Sequence, residues 1–257
     1  MGVVNITPDS FSDGGKFLDP DAAIVQASRL IEQGAAIIDL GAESTRPGAK
    51  PVSEEEELQR LLPVLESIAR LPVPISVDTR RPAVMRAVLA EGASMINDIE
   101  ALAAPGALEA VASSDCAVCL MHMKGTPSTM QQDPRYDDVV AEVSAFLKER
   151  VAAAEAAGIA RDRIVIDPGF GFGKTAAHNL RLLNDFHLVA AIGLPVLAGL
   201  SHKSTLGKIT GRAADDRVAA SVAAALLAAQ RGATILRVHD VGETRDALAV
   251  WKAVEAG

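Results

Sequence analysis

The chain has 257 residues, a length that one α/β barrel commonly occupies, and 49% of them are hydrophobic while 23% are charged. This composition excludes a disordered or collagen-like chain. A formal net charge of −8 and an aromatic content of only 3% disfavour a nucleic-acid partner, because polyanions are repelled and rings for base stacking are scarce. A small anionic ligand remains compatible with these numbers.

The sequence indicates neither export nor membrane insertion. It has no run of 18 apolar residues, and its start, MGVVNITPDS, lacks the ordered regions of a signal peptide. We therefore expect a cytoplasmic protein. Cys116 and Cys119 form a C-x-x-C inside the β-like run AVCLMH, where a spacing of three points the two thiols to opposite faces. We interpret both as core residues rather than as a redox or metal site.

Short β-branched runs alternate with longer amphipathic stretches along the whole chain. The predicted strands are 3–6, 36–40, 75–79, 95–99, 117–122, 164–168, 195–200 and 235–240. The predicted helices are 20–33, 53–70, 82–91, 105–114, 135–158, 176–190, 204–231 and 242–256. Eight βα units without a Pro/Gly-rich linker predict one (β/α)8 barrel domain over 1–257. An open doubly wound sheet is disfavoured, because no G-x-G-x-x-G turn follows an early strand.

Polar residues stand at the end of each predicted strand. They are Asn5, Asp39, Asp78, Asn97 with Asp98, His122, Asp167, Ser201 with Lys203, and Arg237 with His239. In a barrel these strand ends meet at the face where active sites are built. Any single one could be a satisfied core or loop polar group, but the repetition over eight strands predicts a site.

Two kinds of ligand group suit these side chains. Carboxylates such as Asp78 and Asp167, beside Asn97 and Lys203, match a flat heterocycle that carries N–H groups next to a carbonyl. The pair Arg237 and His239, with Asn5 across the barrel mouth, could hold an anion or its Mg²⁺ ion. The polar loops 10–15 and 43–50 are either surface turns or mobile lids, and Arg46 in the second is a candidate anion clamp. The sequence thus predicts a pocket for a heterocycle and a phosphate.

The segment GFGFGKT (169–175) is similar to a phosphate-binding P-loop but does not fit its spacing. Counted back from Gly173, the first glycine of a P-loop falls on Pro168. We instead expect these glycines to let the backbone pass close to a planar ligand, with Phe170 or Phe172 packed on it.

Eight segments together resemble the dihydropteroate synthase family. They are NITPDSFSDGG, GAESTRPGA, SVDT, MINDI, LMHMKGTPSTMQ, DPGFGFGK, SHKS and ILRVHDV, and their order and spacing over nearly the whole chain match that family. The resemblance implies a TIM barrel that joins 6-hydroxymethyl-7,8-dihydropterin diphosphate to 4-aminobenzoate with Mg²⁺ and releases pyrophosphate.

The resemblance also implies roles for individual residues. The pterin ring would be bound by Asp78, Asn97, Met121, Asp167 and Lys203. The diphosphate and its metal would be bound by Asn5, Arg237 and His239. The aminobenzoate side would be formed by Thr45, Arg46, Pro47, Phe172, Lys203 and Ser204, and the first lid loop would contribute Phe11 and Asp13. Of these, Lys203, Arg237, His239, Asp78 and Arg46 would be the catalytic residues.

The chain departs from the family pattern in two places. Family members commonly carry a β-hairpin ahead of the first strand, whereas this sequence begins within that strand, so we expect an open barrel bottom or an amino-terminal truncation. His202 stands where the family usually has arginine, which removes a fixed cation next to Lys203.

Two other functions use a similar barrel. One is a methyltransferase domain that binds methyltetrahydrofolate, which has no need of the anion site formed by Arg46, Lys203, Arg237 and His239. The other is a pterin-binding paralogue without activity, which is disfavoured because the predicted catalytic positions are filled.

Residues 217–231 predict a subunit interface. The middle of this segment is apolar on every side apart from Ser221, whereas a barrel helix usually has a polar back. Alanine-rich helices are also simply good helix formers, so exposed alanines need no partner. Because the resemblance implies a homodimer, we expect a symmetric dimer through this helix, with each site complete within one subunit.

Overall fold

Parallel strands alternate with helices in a computed structural model that describes residues 1–7, 20–44 and 51–257. The predicted site residues Phe11, Asp13, Thr45, Arg46 and Pro47 lie outside the described residues. The strands are β1 (Gly2–Asn5), β2 (Ile38–Gly41), β3 (Ile75–Asp78), β4 (Met95–Asp98), β5 (Ala117–Met121), β6 (Ile164–Asp167), β7 (Leu197–Ala198) and β8 (Ile235–Leu236). Each lies within one residue of, or inside, a predicted strand.

The strands are arranged around a barrel in chain order. Strands β1 to β6 form one parallel sheet in sequence order, and β7 pairs with β8. Parallel bridges join the two sheets at both edges, one between Ile166 and Val196 and one between Gly2 and Val238. The predicted (β/α)8 architecture is confirmed, and all strand carboxyl ends meet at one face.

Helices follow the strands and cover the outside of the barrel. They are α1 (Pro20–Glu32), α2 (Glu54–Ile68), α3 (Pro82–Ala90), α4 (Ala107–Ala112), α5 (Val139–Ala156), α6 (Ala176–Asn184), α7 (Phe186–Ala190), α8 (Ser204–Thr210), α9 (Val218–Gln230) and α10 (Val241–Ala256). None of the described helices is long and apolar enough to cross a membrane.

Two predicted helices are each divided in the structure. The segment 176–190 forms α6 and α7, which meet at Asp185. The segment 204–231 forms α8 and α9, because Gly211 adopts a left-handed conformation (φ +71°) that ends α8.

Side-chain caps begin α2 and α6. Ser53 Oγ accepts the N–H of Glu56 (3.1 Å), which is one half of a capping box. The reciprocal half is absent, because the Glu56 carboxylate instead pairs with Arg60 one turn later. A complete capping box occurs at α6, where Thr175 and His178 cap each other.

The core has an outer layer between strands and helices and a small inner layer within the barrel. Cys119 lies in the inner layer with Met95, Val165 and Leu197. Cys116 packs in the outer layer, and both thiols are buried and free. The interpretation of the C-x-x-C as core residues on opposite faces is confirmed.

The glycine-rich turn 169–173 passes very close to the chain that follows β5. Gly169 (φ +68°) and Gly173 (φ +64°) are left-handed, and an added Cβ at either would overlap the carbonyl oxygen of His122 or Lys124, respectively. At both positions the close neighbour is therefore backbone, which accounts for these two glycines without a ligand. Phe170 is buried and stacks on Phe186 with ring centroids 6.1 Å apart, so it belongs to the core.

We expect Gly169→Ala to destabilise the fold more than Gly193→Ala does. Gly193 (φ +82°) has nothing within 4 Å of an added Cβ, so its substitution costs only the left-handed conformation, about 1 to 2 kcal/mol. Gly169→Ala adds an overlap with backbone, which should cost about 1 to 3 kcal/mol more. Urea unfolding of both variants measures the difference. Equal losses in the free energy of unfolding would show that the turn can shift to accommodate the added Cβ at no cost.

Candidate active site

Polar residues at the ends of the first four strands lie side by side in register. Asn5 pairs with Gly41, Gly41 with Asp78, and Asp78 with Asn97, so these residues project to the same side of the sheet. Gly41 leaves room between its neighbours: an added Cβ would lie 3.7 Å from Asn5 Oδ1 and 3.9 Å from Asp78 Oδ2. The structure thus brings the predicted residues Asn5, Asp78 and Asn97 together.

A buried ion network crosses the barrel below this row. Asp39 is fully buried and accepts hydrogen bonds from Ser76 Oγ (2.6 Å), Asn97 Nδ2 (3.4 Å) and Arg237 Nε (2.6 Å). Arg237 Nη2 also donates to Asp78 Oδ2 at 3.1 Å. The guanidinium group is therefore held by two carboxylates, and 21% of the Arg237 side chain remains exposed.

Asp167 and Met121 are neighbours at the ends of β6 and β5. They pair in register, and both are buried. Asp167 Oδ1 accepts the N–H of Gly169 at 2.7 Å, so the glycine turn sets the orientation of the carboxylate. Lys203 is close enough to lower the pKa of Asp167 by its charge.

Lys203 and Phe172 form a cation–π pair at the rim. The Lys203 ammonium lies 4.4 Å from the centre of the Phe172 ring, which is half-buried. The next residue, Ser204, is exposed at the start of α8. These three predicted residues of the aminobenzoate side therefore lie near one another and near Asp167.

His239 is held by the loop that follows β7. Ser201 Oγ accepts the backbone N–H of His239 (3.2 Å) and lies 2.9 Å from His239 Nδ1. His202 packs edge-on against the His239 ring, with centroids 5.1 Å apart. The Nε2 of His202 lies 2.8 Å from Asp240 Oδ2, and its Nδ1 lies 2.6 Å from the carbonyl oxygen of Ala214. His202 thus orders the loops around His239.

Two residues at strand ends serve the loops rather than the pocket. The buried carboxylate of Asp98 accepts the N–H groups of Glu100 and Leu102, both at 2.8 Å, and so stabilises a turn in which Leu102 has a positive φ. His122 is buried under the glycine turn, where its Nδ1 lies 2.9 Å from the Nζ of Lys174. For Asp98 and His122 the placement with the site residues was wrong, since both are satisfied loop groups.

Burial and charge give the site carboxylates unusual protonation behaviour. Burial raises the pKa of Asp167 to about 6, although the Gly169 N–H and the lysine charges oppose this change. Burial also raises the pKa of Asp78 against the opposing effect of Arg237. Burial lowers the pKa of Arg237, but the Asp39 and Asp78 carboxylates more than offset that effect, so the guanidinium stays charged.

Asp39 was among the polar residues at strand ends, but the sequence analysis gave it no role in the site. It occurs in the run AIIDL, whose composition is typical of a buried strand. A carboxylate in such a run indicates a buried cation nearby, because a buried charge needs a partner. That cation is Arg237, 198 residues away in sequence.

The oxygen donors near Gly41 are compatible with Mg²⁺ bound mainly through a substrate. Asn5 Oδ1 and the Asp78 carboxylate are hard oxygen ligands on either side of the space that a Cβ at Gly41 would fill. Among the described residues, no group of three or more His, Cys, Asp or Glu side chains could hold a metal ion. The remaining ligands would therefore have to be phosphate oxygens and water.

Comparison with known proteins identifies the family. The model of the pterin-binding enzymes matches residues 1–239. The dihydropteroate synthase of Escherichia coli (strain K12) is 51% identical over 254 residues, which cover 98% of this chain and 90% of that protein. The chain belongs to the dihydropteroate synthases, a group of pterin-binding enzymes. It therefore belongs to a family of transferases with small-molecule substrates.

Solved structures of the family share the fold. The dihydropteroate synthase of Xanthomonas albilineans with 4-aminobenzoic acid has a TM-score of 0.94 and 56% identity, covering 100% of this chain and 92% of that one. The same organism's enzyme in complex with 7,8-dihydropteroate has a TM-score of 0.90 and 53% identity, with coverages of 100% and 93%.

We expect the stability difference between the unliganded parent protein and Asp167→Asn to depend on pH. Between its unfolded pKa near 4 and its folded pKa of about 6, the folded parent binds a proton that the unfolded chain has released. The free energy of unfolding contributed by Asp167 therefore falls as pH rises from 4 to 6, and Asp167→Asn lacks this fall. Urea unfolding at both pH values tests the sign, and a parent that gains stability relative to the variant would contradict it.

Proposed function

We propose that this chain forms the C–N bond of 7,8-dihydropteroate. The amine nitrogen of 4-aminobenzoate attacks the methylene carbon of 6-hydroxymethyl-7,8-dihydropterin diphosphate, the bond from that carbon to the diphosphate oxygen breaks, and the nitrogen loses a proton as pyrophosphate leaves. One observation carries the proposal: buried acceptors for a heterocycle, headed by Asp167, lie beside cationic Lys203 at the mouth of a barrel whose relatives are dihydropteroate synthases.

The pterin ring binds at the buried end of the pocket. Asp167 is held in orientation by Gly169 and accepts the N–H groups of the pterin edge, since a carboxylate can take two such bonds. Asn97 and Asp78 provide polar partners from neighbouring strands, and Met121 gives the ring an apolar surface. Lys203 meets the carbonyl side, because its ammonium group lies near both Asp167 and the rim.

The diphosphate binds where Arg237 and His239 face the mouth. A developing pyrophosphate is stabilised by charged donors that are already oriented, and Arg237 is oriented by Asp39 and Asp78. A Mg²⁺ ion held by Asn5 would neutralise part of the diphosphate charge and so make pyrophosphate a better leaving group. Asn5 fits this role because its amide oxygen lies on the open side of Gly41.

The aminobenzoate binds on the side formed by Phe172, Lys203 and Ser204. The Phe172 ring offers a flat face for the benzene ring, and Lys203 and Ser204 offer donors for polar atoms. We assign Thr45, Arg46 and Pro47 to the same side, and Phe11 and Asp13 to substrate binding, as the resemblance to the family implies. No side chain of the chain is required as a nucleophile.

The first test is pyrophosphate release from the pterin diphosphate with and without 4-aminobenzoate and Mg²⁺. We expect release that requires the ion and is accompanied by dihydropteroate. Asp167→Asn replaces an acceptor by a donor that faces a donor, so pterin affinity measured by calorimetry should fall by about 2 kcal/mol or more. Unchanged pterin affinity would place Asp167 outside the pocket, and no release with any combination of substrates would contradict the reaction.

We also propose that the enzyme is a dimer through α9 and α10. On α9, Ser221, Ala224, Ala225 and Ala228 face the barrel, so the helix has one buried stripe. Its outward side presents Leu227, and the neighbouring α10 exposes Val250 and Val254, which are 66% and 73% accessible. A second copy of the chain would cover this apolar surface.

The dimer is tested by Leu227→Glu, with Ala90→Glu as control. Both residues are exposed, but Ala90 ends α3, which packs against α2 and α4 rather than against α9 or α10. We expect Leu227→Glu to shift a dimer toward monomer in light scattering at tens of micromolar protein, because a charge would be buried at the contact, while the control stays dimeric. Ala224 is unsuitable for this test since it is buried within the subunit. A monomeric parent, or two variants that both remain dimeric, would overturn the proposal.

A further inference from the structure

We propose that Lys174 is a positioning residue for the pterin pocket, whose buried ammonium group fixes the turn 169–173 and thereby the Asp167 carboxylate and the Phe172 ring. The proposal rests on the proposed role of Asp167 in pterin binding. Lys174 is the one basic residue of the glycine-rich segment 169–175, and the proposed mechanism gives it no role.

Lys174 is almost fully enclosed and satisfies acceptors from both loops that meet there. Only 2% of the residue is exposed. Its Nζ lies 2.9 Å from the carbonyl oxygen of Gly169, 3.0 Å from that of Phe172 and 2.9 Å from His122 Nδ1. A fourth acceptor, the carbonyl oxygen of His122, lies farther away at 3.4 Å, so the three protons of the ammonium form can each be donated to one of the three near acceptors.

His122 is built to accept from this lysine. Because a lysine ammonium only donates, His122 Nδ1 must carry a lone pair, and the ring proton lies on Nε2. Burial, followed by the charge of Lys174, lowers the pKa of His122 to about 3, so the ring is neutral. Phe146 packs edge-on against it, with centroids 4.9 Å apart. His122 is thus a fixed acceptor that holds Lys174 under the turn.

Through the turn, Lys174 positions two residues of the pocket, Asp167 and Phe172. One residue links them on the pterin side: the carbonyl of Gly169 accepts from Lys174, while the N–H of Gly169 donates to Asp167 Oδ1 (2.7 Å). On the other side, Lys174 holds the carbonyl of Phe172, whose ring contacts the Lys203 ammonium at 4.4 Å. Asn179, Gln131 and Tyr136 bond the backbone of Gly171 and Gly173, whereas Lys174 holds the carbonyl groups next to the two pocket residues.

Lys174 also acts on Asp167 through charge. Three cationic groups face that carboxylate and lower its pKa, namely Lys203, Lys174 and Arg237. Lys174 itself is faced by the Asp167 carboxylate, by neutral His122 and by Lys203, and burial lowers its pKa to about 7. Removing Lys174 therefore removes one of the charges that keep Asp167 ionised.

Lys174→Met is the decisive variant, and Lys124→Met is its matched control. Lys124 lies on the loop after β5, is half-exposed, and bonds Glu142 and the carbonyl of Arg135 rather than the turn. We expect Lys174→Met to raise the KM for the pterin diphosphate about tenfold, the equivalent of one charge-assisted hydrogen bond, with kcat reduced less than about threefold. The control should change neither constant. A purely structural lysine would lower the amount of folded enzyme and leave both constants unchanged.

Titration of Asp167 in the ligand-free protein tests the same inference without any substrate. With ¹³C-labelled aspartate, and Asp167→Asn to assign the signal, the pKa of Asp167 should rise by about one unit in Lys174→Met and stay constant in Lys124→Met. Lys174→Gln, which keeps two donors for the carbonyls but lacks the charge, should give the same rise and replaces the methionine variant if that one does not fold. An Asp167 pKa that is the same in all variants overturns the inference.

Two results separate this inference from the proposed function. If the parent and Lys124→Met bind no pterin, the proposed function fails, whereas the Asp167 titration still decides the role of Lys174. In the parent, ¹⁵N spectra should show the His122 proton on Nε2 and none on Nδ1 at pH 5 to 6, where Lys174 is charged. A proton on Nδ1 would exclude the hydrogen bond from Lys174 and overturn the inference even if neither Lys174 variant folds.

Discussion

The interior of the barrel depends on one buried cation, Arg237, and the carboxylates that surround it. Asp39 is fully buried, so its charge would be strongly destabilising without the Arg237 Nε contact at 2.6 Å. Ser76 and Asn97 satisfy further lone pairs of Asp39, and Asp78 binds the other arm of the guanidinium. The network links the loop after β8 to β2, β3 and β4, and its polar atoms extend from the core to the mouth.

The same network orients the side chains that the proposed function assigns to the pterin. Asp78 and Asn97 both bond within the network, so in that function they would be oriented before substrate binds. Asp167 is oriented separately, by the glycine turn and Lys174. The proposed pterin pocket is thus supported by two buried cations, one in the barrel and one beneath the turn.

Much of this organisation could be predicted from the sequence because it follows from periodic patterns. The alternation of apolar runs predicted all eight strands, and the polar residues at strand ends predicted the face on which the site lies. Interactions between distant segments could not be predicted this way. Asp39 and Arg237 are 198 positions apart, and the meaning of Gly169 becomes visible only where its backbone meets His122. Asp98 and His122 stand at strand ends, as the predicted site residues do. However, Asp98 accepts the Leu102 N–H and His122 contacts the Lys174 ammonium, so both side chains stabilise loops.

A double-mutant cycle of Asp39→Asn and Arg237→Met, read out by urea unfolding, tests the importance of the buried ion network most directly. Arg237→Met leaves a buried carboxylate without its partner and should cost about 3 to 5 kcal/mol of stability. Adding Asp39→Asn removes that unpaired charge, so the double variant should be more stable than Arg237→Met alone by about 1 to 3 kcal/mol. Losses that simply add, with the double variant the least stable of the set, would contradict the central role of this ion pair.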